Sequence, residues 1–562
     1  MKEQKVFPEI ASFGVKAGFH HLFHGNNNIA SFATNQALIA DYYAKNLNKI
    51  IVMDDKGFAF QKVIGTVKKR KGREKGMQVK DLLKGLEYRV VQGSEDTAIT
   101  SVAWNSRKVR PGALFICVKG KNVDRHTFAA QAVEGGASVL VAERLLPELP
   151  PRVTLIVTPD TRKAMARIAS LYYGQPSKAL SLIGITGTKG KTSVSWYIAG
   201  IFEKAGYKAG VIGTIENRYG SKKARADKIN PTTPDALELQ SMLREMADEG
   251  VNPVAMEVTS IALVNNRVDD CHFEIGVFTN LSQDHLDEHG TMENYKNAKL
   301  LLFEKCTQVV ANADDPVFHD ILKVAGDKKI LSFGIKKPAD LTAENIEQEL
   351  NGVRFTLCFP GEKQEVSLKV PGIFSVYNAL AAAGACFLRG LSPQAIAEGL
   401  CALEGVKGRF EVIPNSKGIQ VIIDYAHNPD SLENVLRTIK EMGSGKITVV
   451  FGCGGNRDRD KRPIMGKIAG QWADYVIITT DNPRLEDPLD IARDIEQGVK
   501  ETDCPHEFLL GREWAIKKAL ERAGTGDTVL IAGKGHETYQ VFSDRAIHFD
   551  DTRVVKDYFD LF

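Results

Sequence analysis

A chain of 562 residues is too long for one hydrophobic core and implies about three or four domains. Its 43% hydrophobic and 25% charged residues are those of a soluble globular protein, and a net charge of +3 gives no bulk electrostatic case for binding nucleic acid. No apolar run reaches the ~20 residues that span a bilayer, and the first residues lack the basic-then-apolar layout of a signal peptide. The eight cysteines (117, 271, 306, 358, 386, 401, 453 and 504) are scattered without a C-x-x-C pair, which favours reduced cytosolic thiols over disulfides or zinc. No repeat at a solenoid period is present.

Residues 1–76 differ in character from the rest. They hold His20, His21 and His24, an Asn26–Asn28 run and a basic tail from Lys68 to Lys75. Surface histidines and a solvated linker are the plain readings; metal binding and contact with RNA or membrane are the alternatives. Residues 69–76, Lys-Arg-Lys-Gly-Arg-Glu-Lys-Gly, can all be encoded by purine-rich codons, as a translated ribosome-binding site would be. The expectation is that Met77 is the natural start. From there a small α/β unit is predicted: the polar turn Asn105–Gly112, a strand over Ala113–Val118, Asp124-Arg125-His126, a helix from Phe128 and a strand over Ser138–Val141. Ser106, Arg107 and His126 either hold a polar ligand or cap turns.

A second unit opens with a strand over Leu182–Ile185, a glycine loop ending in Gly190-Lys191-Thr192, and a helix over Val194–Ala205. Such a loop offers backbone N–H groups and a helix N-terminus to phosphates; Lys191 would reach the outer phosphates and the Thr192 hydroxyl a Mg²⁺. The full phosphate-loop pattern wants glycine at position 185, where Ile185 stands, while Gly187 lies two residues later. Alternating strands and helices follow, so a parallel sheet is expected. Thr232 or Thr233 should cap a helix with Pro234 in its first turn. Glu257 sits in the apolar strand Val254–Val258, a costly place for a carboxylate unless paired or bound to metal. His285 follows the strand Val277–Leu281, where ligands gather in open parallel sheets, so Thr192, Glu257 and His285 could converge on a metal. Lys296 and Lys299 lie in a helix over Glu293–Phe303, with solvation the default for each. A turn is expected over Ala311–Pro316, a helix with Asn378 over Val376–Leu388, and a hinge at Gly408–Glu411.

The α/β pattern then restarts. Strands over Val421–Asp424, Ile447–Phe451, Val476–Thr480 and Val529–Ala532 lead into polar loops. The loops after the last three, Gly452–Arg462, Asp481–Arg484 and Gly533–Glu537, suggest one shared site for an anionic ligand.

The motifs stand in a fixed order: Gly-Thr-Lys-Gly-Lys-Thr (187–192), Thr-Thr-Pro-Asp (232–235), Met-Glu-Val (256–258), Thr-Asn-Leu-Ser-Gln-Asp-His-Leu-Asp (279–287) and Tyr-Lys-Asn-Ala-Lys (295–299). They continue with Gly-Arg-Phe-Glu (408–411), Asp-Tyr-Ala-His-Asn-Pro (424–429), Asp-Asn-Pro-Arg (481–484) and Gly-Lys-Gly-His-Glu (533–537). From Met77 to Phe562 the chain resembles the Mur ligases, specifically their diaminopimelate-adding members. The resemblance implies an α/β protein of three domains: 77–173 binding the UDP-linked substrate through a small α/β unit, 174–410 a phosphate-loop parallel-sheet ATP-binding ligase domain, and 411–562 Rossmann-like and binding the incoming amino acid. It implies a cytoplasmic, monomeric enzyme of cell-wall synthesis that uses ATP and Mg²⁺. That enzyme adds meso-2,6-diaminopimelate to UDP-N-acetylmuramoyl-L-alanyl-D-glutamate through an acyl phosphate; L-lysine or a specialised amino acid is the alternative.

By resemblance, Gly187, Thr188, Lys189, Gly190, Lys191, Thr192 and Ser193 serve ATP with Asn378, Arg409 and Asp424. Thr192, Glu257, His285 and a carbamylated Lys299 would hold Mg²⁺, with Lys191, Glu257, His285 and Lys299 the catalytic set. Ser106 matches a uridine contact, and Thr232, Thr233, Thr259 and Arg267 match positions on the muramoyl-dipeptide. Arg457, Asp481, Asn482, Pro483, Arg484, Gly533 and Glu537 match the amino-acid site, with Arg484 facing the second carboxylate unless it merely pairs with Glu486 or Asp487. Four departures stand out: Lys189 for the usual asparagine, Thr259-Ser260-Ile261 for Ser-Ser-His, Asn105 for aspartate, and Ser375 for asparagine. A kinase or phosphohydrolase would need no third binding domain, and a non-enzymatic scaffold would lack the metal-binding groups.

Overall fold

The computed structural model describes residues 50–53, 59–62 and 77–561, except 121–122, 225–229, 231, 350–351 and 444. The chain divides into two units, Met1–Glu74 and Lys75–Phe562. In the first, the strands Ile50–Met53 and Ala59–Lys62 pair antiparallel. The three early histidines, the asparagine run and the basic tail lie outside the described residues.

In the second unit, Met77–Gln78 pairs with Ala98–Ile99 beside a five-stranded sheet. Ser101–Ala103, Ala113–Ile116, Ala137–Ala142 and Thr154–Val157 run parallel there, and Arg89–Gln92 adds an antiparallel edge. Every residue of Ala113–Ile116 is buried, as a strand covered on both faces requires.

The central sheet has eleven strands. Its parallel part runs, in space, Gly210–Ile212, Val254–Glu257, Leu182–Thr186, Phe273–Phe278, Cys306–Asn312 and Lys329–Gly334. Leu341–Glu349 continues parallel, and Gly352–Phe359 and Glu362–Leu368 finish as an antiparallel meander. The chain leaves Leu182–Thr186 to one side and later returns to its other side. That strand is therefore a topological switch point, where a crevice opens beyond the strand ends. The helices Lys191–Lys204, Ile373–Leu388 and Pro393–Cys401 cover one face, and Ala236–Asp248 with Met292–Glu304 the other.

The last sheet orders as Glu411–Ile413, Gln420–Asp424, Thr528–Ala532, Ile447–Phe451, Tyr475–Ile478 and His506–Phe508, all parallel except the first. Its polar loops therefore leave neighbouring strand ends on one edge. Helix Arg512–Arg522 is fastened to helix Asp551–Tyr558 by a fully buried ion pair, Arg512 Nε to Asp551 Oδ1 at 2.7 Å. All eight cysteines are free. Among the described residues no helix is long and apolar enough to cross a membrane.

Several local expectations are corrected. The phosphate-loop helix starts at Lys191 rather than Val194, because Gly190 at φ +86° supplies the left-handed turn into it. Neither Thr232 nor Thr233 caps the next helix. It runs Ala236–Asp248 after Asp235, Thr233 Oγ1 donates to the Glu257 carbonyl at 2.9 Å, and Thr232 Oγ1 lies 3.0 Å from that of Thr214. The expected turn from Ala311 begins as strand, because Cys306–Asn312 pairs on both sides.

Candidate active site

The phosphate loop is shaped by its neighbour strand. Gly187, at φ +146°, lies so close to that strand's end that a Cβ there would stand 1.9 Å from Thr279 Oγ1. The glycine requirement thus falls at 187, while Ile185 is buried in the sheet. Asn280 receives both next amides, Thr188 N on its carbonyl at 2.8 Å and Lys189 N on its Oδ1 at 3.0 Å; Thr279 Oγ1 donates to the Lys189 carbonyl at 2.6 Å. Lys191 curls back onto the carbonyls of Gly187 (2.8 Å) and Thr188 (2.9 Å), and burial pushes its pKa down. Ser193, in the same helix turn, is half-buried. Lys189 reaches out instead, its Nζ 3.3 Å from the Asp430 carbonyl; burial lowers its pKa too.

Glu257 is 1% exposed. It accepts from Thr192 Oγ1 (3.0 Å), Thr214 N (2.7 Å) and Thr214 Oγ1 (3.0 Å), and among the described residues no cation lies within ion-pair distance. A buried carboxylate beside a hydroxyl at a phosphate loop is a hard-oxygen donor set suited to Mg²⁺. Lys299 departs from the solvated default. It is 2% exposed, donates to the Gly187 carbonyl at 2.8 Å and sits 4.2 Å over the Tyr295 ring. Burial first, then the nearby Lys191 ammonium, hold its pKa well below the usual lysine value. Lys296 instead pairs with Glu293 and Asp320, both at 3.0 Å. His285, half-exposed at φ +52°, stands beside Asp284 (3.8 Å) and the Tyr295 ring rather than against Glu257. Among the described residues no group of three His, Cys, Asp or Glu side chains is placed to hold a metal.

Tyr295 is the residue that sequence reasoning missed. Its hydroxyl is 3.3 Å from Thr188 Oγ1, and its ring also meets His289, whose Nε2 is 2.9 Å from Ser260 Oγ. The signal was available: position 295 lies one helical turn before Lys299, on the same face.

The other predicted nucleotide-side residues gather around the loop. Asn378 packs on Gly190, where a Cβ would meet its Oδ1 at 2.4 Å. Arg409 NH2 lies 3.4 Å from Thr192 Oγ1, with the guanidinium 4.8 Å over the Tyr425 ring. Asp424 accepts from the amides of Phe410 (2.7 Å) and Ala426 (2.8 Å), and burial raises its pKa. At the expected hinge, Gly408, at φ +66°, has no room for a Cβ against the Gly535–His536 backbone.

Thr233 Oγ1 lies 3.2 Å from Thr259 Oγ1, and Arg267 donates to the Thr233 carbonyl at 3.1 Å and pairs with Asp235 at 3.2 Å. Ser106 is elsewhere, on the first sheet's loops, donating to Gln131 Oε1 at 2.7 Å. His126 is corrected to a structural group. It is buried, with Nδ1 2.6 Å from Asp124 and Nε2 accepting from Glu143 N at 3.0 Å, so neither nitrogen is left for a ligand. Arg107 donates its amide to the turn-capping Asn105.

The three C-terminal loops interlock. Gly455 N donates to the Asn482 carbonyl at 2.9 Å, Asn482 Nδ2 to Glu537 at 3.0 Å, and buried Lys534 bonds Asn482 (3.3 Å) and Glu537 (3.1 Å). Gly533 leaves room for Asp481, whose Oδ2 a Cβ there would meet at 2.9 Å, and Pro483 backs onto Gly455. Arg484, at φ +53°, donates to the carbonyls of Gly455 (2.9 Å) and Asn482 (3.4 Å). It does not pair with Glu486, which Arg462 occupies, or with Asp487, which caps helix Pro488–Val499. Arg457 is exposed, and a Cβ on Gly454 would meet both its Cγ (3.7 Å) and Arg484 NH1 (2.9 Å).

Residues 98–173 match the Mur ligase family, catalytic domain; 185–386 the Mur ligase middle domain; and 408–535 the Mur ligase, glutamate ligase domain. The chain is 43% identical over 481 residues to the UDP-N-acetylmuramoyl-L-alanyl-D-glutamate–2,6-diaminopimelate ligase 2 of Clostridium acetobutylicum, covering 86% of this chain and 99% of that one. It is 46% identical over 489 residues to the corresponding ligase of Geobacillus thermodenitrificans, covering 85% and 99%. A solved structure of a ligase of the same name superposes with a TM-score of 0.63 at 33% identity, covering 86% of this chain and 99% of that one. The ADP complex of MurF ligase from Thermotoga maritima shares the fold at 18% identity and a TM-score of 0.54, covering 82% and 97%.

Proposed function

We propose, since this chain belongs to the Mur ligase family, that it is an ATP-dependent ligase joining meso-2,6-diaminopimelate to UDP-N-acetylmuramoyl-L-alanyl-D-glutamate. The reaction supplies peptidoglycan precursors, and we place it in the cytoplasm, carried out by a monomer. Thr232, Thr233, Thr259 and Arg267 hold the dipeptide end of the nucleotide, and Ser106 the uridine end. The loop Gly187–Ser193 with Asn378, Arg409 and Asp424 holds ATP. The D-glutamyl carboxylate attacks the γ-phosphorus, releasing ADP and forming an acyl phosphate. The amine of the incoming amino acid then displaces phosphate and gives the amide. Lys191 sits where negative charge on the transferring phosphoryl group is stabilised.

The oxygens of Thr192 and Glu257 fit Mg²⁺, with His285 and Lys299 as further ligands. Bound there, the ion would neutralise phosphate charge and polarise the phosphoryl oxygens. An ammonium cannot ligate a cation. The buried, pKa-depressed Lys299 amine is the kind of neutral nucleophile that takes up CO₂ as a carbamate, and the carbamate can.

One observation carries the choice of amino acid. Arg484 is held by two carbonyls, and among the described residues no carboxylate stands within ion-pair distance of it, so its charge remains for a substrate carboxylate. Diaminopimelate has that second carboxylate and L-lysine lacks it. The test is ADP release with the dipeptide nucleotide and a panel of amino acids. Release should need all three substrates and should not occur with L-lysine. Release without an amino acid would indicate a kinase or hydrolase, and release with L-lysine would refute the assignment.

A further inference from the structure

We infer that Glu486 and Arg462 form a clasp that sets the position of Arg484, and so act as positioning residues for recognition of the amino acid's second carboxylate. The inference rests on the role just given to Arg484.

Arg462 is fully buried, and its guanidinium grips Glu486 by both ends: NH1 to Oε2 and NH2 to Oε1, each at 3.0 Å. Asp494 takes a further bond from NH1 at 2.8 Å. Such a fork fixes the carboxylate in position and in plane, and holds Glu486 ionised below its usual range. Glu486 Oε1 also accepts the amide of Asn456, on the neighbouring loop. Asn456 returns the bond, its Oδ1 accepting the amide of Leu485 at 3.0 Å.

The two loops are therefore tied twice just after Arg484, at Leu485 and Glu486, and once before it, where Gly455 N donates to the Asn482 carbonyl at 2.9 Å, and the ties bear on its guanidinium directly. Arg484 NH1 donates to the Gly455 carbonyl, one residue from the clasped Asn456 amide. Arg484 and Asn456 both hold left-handed backbones, φ +53° and +51°, which these bonds keep in place. Loosening Glu486 would shift Gly455 and with it the guanidinium.

The test is steady-state kinetics on the full chain. Glu486→Gln keeps the shape and removes the charge. It should raise KM for diaminopimelate at least about tenfold, with KM for ATP unchanged and kcat within about threefold. A general structural defect would instead lower the active fraction without moving one KM alone. Arg484→Ala is measured beside it, and the double variant should show no further rise in KM, because both changes remove the same interaction. An unchanged KM in Glu486→Gln, or effects that multiply in the double variant, would overturn the clasp while leaving the role of Arg484 intact. An unchanged KM in Arg484→Ala would overturn that role, and the clasp with it. Should Glu486→Gln fail to fold, the exposed Asn456→Gly keeps the left-handed backbone and removes only the bond to Leu485. It should raise the same KM at least about threefold, and no rise would overturn the inference.

Discussion

At the residue scale, what matters is which groups are already satisfied by the protein. His126 has both ring nitrogens engaged, whereas among the described residues no carboxylate lies within ion-pair distance of Arg484. Two residue types that read alike as candidates in the sequence thus separate once their partners are known. A charge-assisted bidentate pair contributes about 2–3 kcal/mol, so Arg484→Ala should raise KM for diaminopimelate roughly 30- to 150-fold with little change for ATP, checked by initial rates. Lys299 is the second case. It is buried, and among the described residues no carboxylate lies within ion-pair distance of it, the environment expected of a lysine kept for chemistry rather than for an ion pair. Lys299→Ala should lower turnover by at least about a hundredfold with the unfolding midpoint nearly unchanged. Added bicarbonate should not restore activity, whereas a short-chain carboxylic acid should restore part of it. Lys189, the departure nearest the phosphates, is anchored through its main chain to Asn280, which does not depend on its side chain.

At the element scale, the phosphate loop is built by two strands rather than one. The motif was legible from Gly-Lys-Thr, but the pattern's first glycine falls at position 185, inside the strand. The structure moves the need to Gly187, because Thr279 and Asn280 close on the loop from the next strand. Gly187→Ala places a methyl group against Thr279 in a backbone region that alanine avoids. It should cost about 1–3 kcal/mol in chemical denaturation and lose ATP-dependent turnover together. The threonines at 232 and 233 show the converse. They read as caps by type, yet their hydroxyls bond groups brought from other strands, Thr214 and the Glu257 carbonyl. Local propensity ranks possible partners and tertiary contact chooses among them.

At the scale of the whole molecule, the site is assembled across sheets. Arg409, at the start of the last sheet, reaches Thr192 in the phosphate-loop helix, and Lys189 reaches Asp430 at the start of helix Pro429–Glu441. These two contacts bring residues next to the last sheet against the phosphate loop. Residues 1–76 differ from this body in composition, and the chain divides next to them. A chain beginning at Met77 should remain soluble and turn over like the full chain, measured by ADP release and thermal unfolding. Insolubility or lost turnover would show that the enzyme needs the segment.

The sequence by itself determined the α/β class, the strands with their polar loops, and the family, because hydrophobic periodicity and motif order are local properties of the chain. It also named Lys191, Glu257, Lys299 and Arg484 by position. The tertiary structure alone decided which of those side chains are buried, which are already bonded, and what holds them. Tyr295 became a hub, Glu486 was drawn to Arg462 rather than to Arg484, and Gly187 took over the role of position 185. The reason is physical. A side chain's partner is set by which strand ends lie side by side, and in a sheet whose spatial order departs from chain order that adjacency is not written in any one segment.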